Sequence, residues 1–256
     1  MSTRLAREKE VYDRARVDEH SGELLDFDDV IYPAVIRQRQ RDLICQVATL
    51  VRPRRVLDVG CGGGWSTHLL SQLSSLAIGL DVSRALVATA RGRAWPKADF
   101  IIADGNQIPF REKSIDLLVS VAALHHLETG RALREWRRVL APGGRLLVFE
   151  PNRLNPLAAI GRRLFPFETH TPDERPFTPE ELKRLLKQFD WELLRWSTDI
   201  LFTFALSRFA RVHELPRDTA RRFVPFLVAL EAIARKCPLT RELGWILVGL
   251  ARPVSD

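Results

Sequence analysis

The spacing of hydrophobic positions changes several times along the chain, and each change marks an element. Charged residues dominate positions 1–25, where Val11, Tyr12 and Ala15 form only a thin apolar stripe at helical spacing, so an exposed helix is expected. Between 32 and 50, Ile36, Leu43, Ile44, Val47 and Leu50 recur at three- and four-residue steps, predicting an amphipathic helix that Pro53 closes. Short apolar runs then alternate with helical patterns. Strands are expected at 55–59, 77–80, 98–102, 115–121 and 144–150, with helices at 65–73, 84–93 and 130–140 between them.

A further helix is expected at 155–164, followed by an irregular stretch, 165–177, that holds three prolines. Thr178-Pro179-Glu180-Glu181 then sets a hydroxyl at an N-cap, proline at the first helical position and a carboxylate three residues on, a helix start that satisfies backbone amides from both sides. Strands are expected at 191–202 and 244–251, separated by a mostly helical and unusually apolar connection, 203–243. The implied fold is α/β, a doubly wound, seven-stranded, mostly parallel sheet. Residues 1–50 form an N-terminal helical cap on a domain spanning 51–256, with a lid-like segment at 153–178 and a helical insertion at 203–243.

Composition narrows the function classes. With 256 residues, 46% hydrophobic and 28% charged, the chain can bury one large core, and two unrelated domains are not expected. The charged start lacks the apolar core of a signal peptide, and no stretch reaches the roughly 18 apolar residues that cross a bilayer, so the cytoplasm is the expected compartment. Cys45, Cys61 and Cys237 have no disulfide or zinc spacing and read as buried thiols, and no metal site is expected. The net charge of +7 raises the question of nucleic acid or anionic membranes, yet the arginines are scattered in short groups such as Arg137-Arg138 and Arg221-Arg222. A nucleic-acid substrate is therefore the lesser expectation.

The most informative stretch is Val56-Leu57-Asp58-Val59-Gly60-Cys61-Gly62-Gly63-Gly64-Trp65-Ser66-Thr67, a hydrophobic strand running into four glycines and a helix. Glycines there permit positive φ and leave no β-carbon in the way of a ligand. Dinucleotide folds space theirs as G-x-G-x-x-G, whereas here Gly60, Gly62 and Gly64 alternate and bulky Trp65 follows. Asp58 would repel a pyrophosphate but attract a ligand bearing an ammonium and a sulfonium.

At these residues the chain resembles the class I S-adenosylmethionine-dependent methyltransferases, whose first motif is an acid followed by G-x-G-x-G, and the likeness is closest to the broad group that includes quinone-biosynthesis and natural-product enzymes. Four more segments fall in that family's order: Ile78-Gly79-Leu80-Asp81-Val82-Ser83, Ile101-Ile102-Ala103-Asp104-Gly105-Asn106, the strand from Ile115 to Val121 with Leu124-His125-His126-Leu127, and Leu140-Ala141-Pro142-Gly143-Gly144 leading to Glu150-Pro151. The resemblance implies S-adenosyl-L-methionine as cofactor, bound by Asp58, Gly60, Cys61, Gly62, Gly64, Asp81, Val82, Asp104, Gly105, Ser120 and Val121. Asp81 would take the ribose hydroxyls, Asp104 the adenine amine, and the backbone at Ser120 and Val121 the methionine portion.

Methyl transfer then demands alignment and, for many acceptors, loss of a proton. His125, His126 and His170 are the base candidates, because imidazole titrates near neutrality, and Tyr12 resembles the N-terminal segment that closes over the cofactor. Each has a plainer alternative: helix-start bonding for the histidine pair, an exposed loop position for His170, packing for Tyr12. Glu150 is expected either to steer a cationic acceptor or to bond backbone. Phe204, Leu206, Phe209, Phe223, Phe226, Leu227, Leu230 and Ile233 are expected to roof a hydrophobic acceptor pocket, to rest on an anionic membrane, or simply to add core. The expected reaction is methylation of oxygen, nitrogen or carbon in a small-molecule or lipid-like acceptor. RNA methylation and cofactor binding without transfer are the rival readings; the absence of a D/N-P-P-Y/F pattern after the fourth strand argues against base N-methylation.

Overall fold

The computed structural model of the protein describes residues 3–15, 30–164, 174–197, 202–234, 236–237, 240 and 243–253, with the side chains of 161–162, 188 and 190–197 left aside. The described residues form one mixed sheet in the order β3-β2-β1-β4-β5-β7-β6. Its strands are β1 (Arg55–Val59), β2 (Leu76–Asp81), β3 (Ala98–Ile102), β4 (Ile115–Val121), β5 (Leu140–Pro151), β6 (Phe189–Ser197) and β7 (Ile246–Pro253). The first five pair in parallel, while β7 runs antiparallel to both β5 and β6.

Helices cover both faces: α1 (Thr3–Asp13), α2 (Gln38–Val51), α3 (Trp65–Gln72), α4 (Arg84–Gly92), α5 (Thr129–Val139), α6 (Pro156–Leu164), α7 (Pro179–Leu185), α8 (Thr203–Val212) and α9 (Arg217–Ala234). Alternation along the strands splits the core between them. On β1, Val56 joins one apolar cluster with Leu43, Ile44 and Phe149, and Leu57 joins the opposite one with Leu133 and Trp136. The Thr178 start of α7 is a full capping box: its hydroxyl accepts from the Glu181 amide while Glu181 accepts from the Thr178 amide.

Three sequence expectations shift. The amphipathic segment opens with a wide-turned π-helix, Tyr32–Arg37, before α2, and Leu50, assigned to its apolar stripe, is exposed. The sixth strand begins at Phe189 and ends at Ser197, earlier than expected. The fifth begins at Leu140, because Leu140 already pairs with Ile115 ahead of the turn through Gly143, after which the register resumes at Arg145.

Parallel pairing about β1 sets the site. β1 lies between β2 and β4, the point where the winding reverses, so the loops after β1, β2 and β4 meet at one edge. The sequence puts its glycines and acids in those loops.

Candidate functional site

Gly60 shows why the first loop needs glycine. It sits at φ +74, and a β-carbon there would lie 2.3 Å from the Ala123 Cβ, so the loops after β1 and β4 meet only without one. Gly62, at φ +53, has nothing within 4 Å of where its Cβ would be. That open side faces a cavity of about 240 Å³ lined by Gly60–Gly63, Asp81, Val82, Asp104, Gly105 and Val121–Ala123. Gly64 plays a different part: at φ +91 it makes room for Trp95 and Phe100, away from the cavity.

The acids divide in the same way. Asp81 ends β2 and lines the cavity, one oxygen accepting from the Gly62 amide at 2.8 Å and the other from Ser83 at 2.9 Å. Burial raises its pKa above the ordinary 3.8, and the amides at Ser83 and Gly62 oppose that rise. With backbone amides at Gly62, Val82 and Ser83 already directed at it, the carboxylate still has lone-pair capacity for a ligand hydroxyl. Asp104 also lines the cavity while holding an Asx turn, Oδ1 accepting from both the Asn106 amide and its side chain. Gly105 is fixed beside it, its carbonyl accepting from the Trp136 indole at 3.1 Å.

Asp58 stands behind the loop rather than in the cavity wall. Fully buried, its Oδ2 accepts from Ser66 and Thr67 hydroxyls, each at 2.6 Å, and so ties β1 to the first turn of α3. Burial above all, aided by the nearby Asp81 charge, pushes its pKa up to about 6 against the pull of those hydroxyls. Ser120 is likewise buried outside the wall, whereas Val121 reaches it. Cys61 lines the cavity with a thiol pushed well above its ordinary range by burial, so it packs rather than attacks.

Two of the three histidine candidates converge with Tyr12. His125 and His126 form a short 3₁₀ turn after β4, their ring centroids 4.0 Å apart. Glu150, wholly buried on β5, anchors the turn: it accepts from the Leu124 and His125 amides and lies 2.7 Å from His125 Nδ1. This carboxylate bonds backbone and imidazole and does not line the cavity, so it is not placed to steer an acceptor. His126 Nε2 lies 3.1 Å from the Tyr12 hydroxyl, and its Nδ1 lies 3.1 Å from Glu8 Oε2, close enough for an ion pair though not aligned as a hydrogen bond. His170 falls outside the described residues.

Helix α1 covers this wall. Arg4, Glu8 and Tyr12, four residues apart, share a face: Arg4 donates to the His125 carbonyl at 2.7 Å, and the other two meet His126. At its end, Asp13 accepts from the Ser83 hydroxyl and the Ala85 amide at the start of α4. Burial works to raise the Asp13 pKa, but Lys9, Ser83 and Ala85 outweigh it and hold the group at about 2. Tyr12 stands out in the sequence but its partners do not, because a polar stripe on a charged helix has the pattern of a solvated face.

The cavity's apolar side includes one residue expected from the sequence, Phe204, and several that were not. Tyr32, Trp65, Phe204 and Trp245 line it, Trp245 packing on Phe204 with centroids 4.5 Å apart. Among them the Arg37 guanidinium lies 4.1 Å from the Trp65 ring and 5.0 Å from Tyr32, and donates to Gln40, which also lines the cavity. The wide turn of Tyr32–Arg37 brings its two ends to one side. Of the aromatic and aliphatic run expected to roof a pocket, Phe204 alone lines the cavity; Phe209, Phe223, Phe226 and Ile233 are exposed, and Leu227 packs in a satellite core.

Residues 57–148 match the family model described as a methyltransferase domain. A protein of Mycolicibacterium smegmatis named a probable S-adenosylmethionine-dependent methyltransferase is 33% identical over 141 residues, 55% of this chain and 52% of its own. A mouse protein named probable tRNA methyltransferase 9B is 37% identical over 98 residues, 37% of this chain and 21% of its own. The chain thus spans about half the length of the first relative and about a fifth of the second. Among solved structures, geranyl diphosphate C-methyltransferase from Streptomyces coelicolor A3(2), in complex with Mg2+, geranyl diphosphate and S-adenosyl-L-homocysteine, shares the fold with a TM-score of 0.63 at 12% identity, covering 99% of this chain and 98% of its own.

Proposed function

Because the chain belongs to the class I S-adenosylmethionine-dependent methyltransferases, we propose that it transfers the methyl group of that cofactor to a small-molecule or lipid-like acceptor held beneath α1. The cofactor, when bound, supplies an electrophilic methyl on a sulfonium that departs as a neutral thioether. The residues present fit it. Gly62 leaves an open, Cβ-free surface, Asp81 offers lone pairs to a diol, and Asp104 with Gly105 offers an acid and a peptide edge to a purine. What the chain adds is alignment, exclusion of water by α1, and a wall of His125, His126 and Tyr12 where charge or a proton from the acceptor is accommodated.

One observation carries the choice of acceptor. The cavity that holds the acids also holds Tyr32, Trp65, Phe204 and Trp245, and α1 lies across it. Aromatic walls under a helix suit a compact apolar body, and Arg37 with Gln40 suits an anionic or oxygen-rich end on that body. The exposed apolar side chains of α8 and α9, Phe209, Phe223, Phe226 and Ile233, support a lipid-like acceptor and a peripheral membrane contact.

RNA is the second reading, favoured by the likeness to the mouse protein and by the +7 charge. Assaying methyl transfer to apolar acids, phenols and quinols alongside unmodified tRNA separates the two. Transfer to a small acceptor is expected, and turnover with tRNA alone would overturn the proposal. Calorimetry with S-adenosyl-L-homocysteine tests the cofactor site directly. Asp81→Asn is expected to weaken binding by 10-fold or more, about 1.5–3 kcal/mol for hydrogen bonds to a charged group.

A further inference from the structure

Two histidines in sequence, each backed by a carboxylate, are a costly arrangement for a wall whose only task is to be apolar. His125 Nδ1 is held at 2.7 Å by Glu150, whose oxygens also accept two backbone amides, so that nitrogen carries the proton and Nε2 keeps the ring's lone pair. His126 has Glu8 3.1 Å from Nδ1, and its Nε2 faces both the Tyr12 hydroxyl at 3.1 Å and Glu174 Oε1 at 3.7 Å, so an ion held there takes the place of the tyrosine hydroxyl on that nitrogen. One donor atom from each of His125, His126 and Glu174 lies within 4.8 Å of the others, and all three residues line the cavity. Carboxylates behind imidazoles are the usual support of metal-binding histidines, because they fix the tautomer and raise the basicity of the other nitrogen.

We propose that His125, His126 and Glu174 form a binding site for a divalent transition-metal ion inside the acceptor cavity. It rests on the acceptor reading only for its purpose, not for its existence. Two imidazoles and one carboxylate favour ions such as Zn2+, Co2+ or Fe2+ over Mg2+ or Ca2+, which prefer oxygen donors. The identity of 12% to the structural neighbour solved with Mg2+ carries no ligand residue over. Ligands at about 2.1 Å from a tetrahedral ion stand about 3.4 Å apart, so the site closes by roughly 1 Å on binding. Glu174 precedes α7 in the chain, and its side chain is only 9% exposed, on the same wall as the two imidazoles. Three protein ligands leave a position for an acceptor oxygen. A hydroxyl bound there gives its proton to water more readily while its oxygen stays on the ion, ready to form the bond to the methyl carbon.

The test is a Co2+ titration of the metal-stripped full-length protein, with and without S-adenosyl-L-homocysteine, followed by visible d–d absorption. One Co2+ per chain is expected, displaced by Zn2+ and not by equimolar Mg2+. Glu174→Gln and His126→Asn should each weaken uptake at least 10-fold with homocysteine-nucleoside affinity changed less than threefold, and circular dichroism checks that both fold. Absence of stoichiometric uptake, uptake unaltered in both variants, or displacement by Mg2+ would each overturn the site. Co2+ binding without any nucleoside binding would leave the site standing and remove the methyl-transfer reading instead.

Discussion

Single residues here act for reasons that neighbouring residues of the same type do not share. Gly60 and Gly62 both have positive φ, but only Gly60 would press a β-carbon into Ala123. Gly60→Ala is therefore expected to cost about 3 kcal/mol of stability, strain and overpacking together, read as a shift of the urea midpoint. Gly62→Ala meets open space, so its stability cost should stay near ~1 kcal/mol while its methyl group enters the ligand's volume and weakens nucleoside binding. If both variants lost stability equally and bound ligand equally, the cavity would not be where the cofactor lies. The same contrast separates Asp81, in the wall, from Asp58, behind it. The motif told both apart from ordinary acids without telling which faced the ligand.

At the scale of elements, α1 is the one whose role the sequence understated. Its contacts include several polar ones: Arg4 to a carbonyl, Glu8 and Tyr12 to His126, Asp13 to the start of α4. A helix held this way opens at low free-energy cost compared with one held by apolar burial. Asp13→Ala should speed amide exchange through 3–13 while leaving the global melting temperature nearly unchanged, and bound S-adenosyl-L-homocysteine should slow that exchange. Since Asp13 is held at about 2, below the ordinary 3.8, its contribution is present above about pH 3.8 and is lost as pH falls toward 2. Exchange in α1 that ignored both the substitution and the ligand would show that the helix does not cover the site.

For the whole molecule, the sheet order decides which charges are buried together. Asp58 and Asp81 end up close because β1 and β2 pair in parallel, with Asp58 opposite Gly79. With the Asp58 pKa raised from 3.8 to about 6, the folded chain holds its proton longer than the unfolded chain does. The stabilising share is complete below about pH 3.8, declines as pH rises through about 6, and is flat above, a span on the order of 3 kcal/mol at most. Asp58→Asn removes that slope whatever it does to absolute stability. Unfolding measured across this window should therefore fall with pH less steeply in the variant, and parallel curves would contradict the assignment. No helix among the described residues is long and apolar enough to cross a membrane, and α8 and α9 carry the exposed apolar side chains Phe209, Phe223, Phe226 and Ile233.

Local pattern was enough for the parts of this protein whose causes are local. Period-two and period-3.6 hydrophobicity, the capping box at Thr178 and the glycine run after β1 specify the strands, the helices and the cofactor loop, since each depends on neighbours within one turn or one strand. The acceptor side was not legible in that way. Tyr32, Arg37, Gln40, Phe204 and Trp245 come from segments far apart in the chain and meet where the Tyr32–Arg37 turn, α8 and the residues entering β7 pack together. Glu8 on α1, Glu150 on β5 and Glu174 before α7 likewise come from distant segments to meet His125 and His126. Side-chain type can be read along a chain, but shared proximity across more than a hundred residues is a product of packing, and packing alone brings carboxylates to the two histidines.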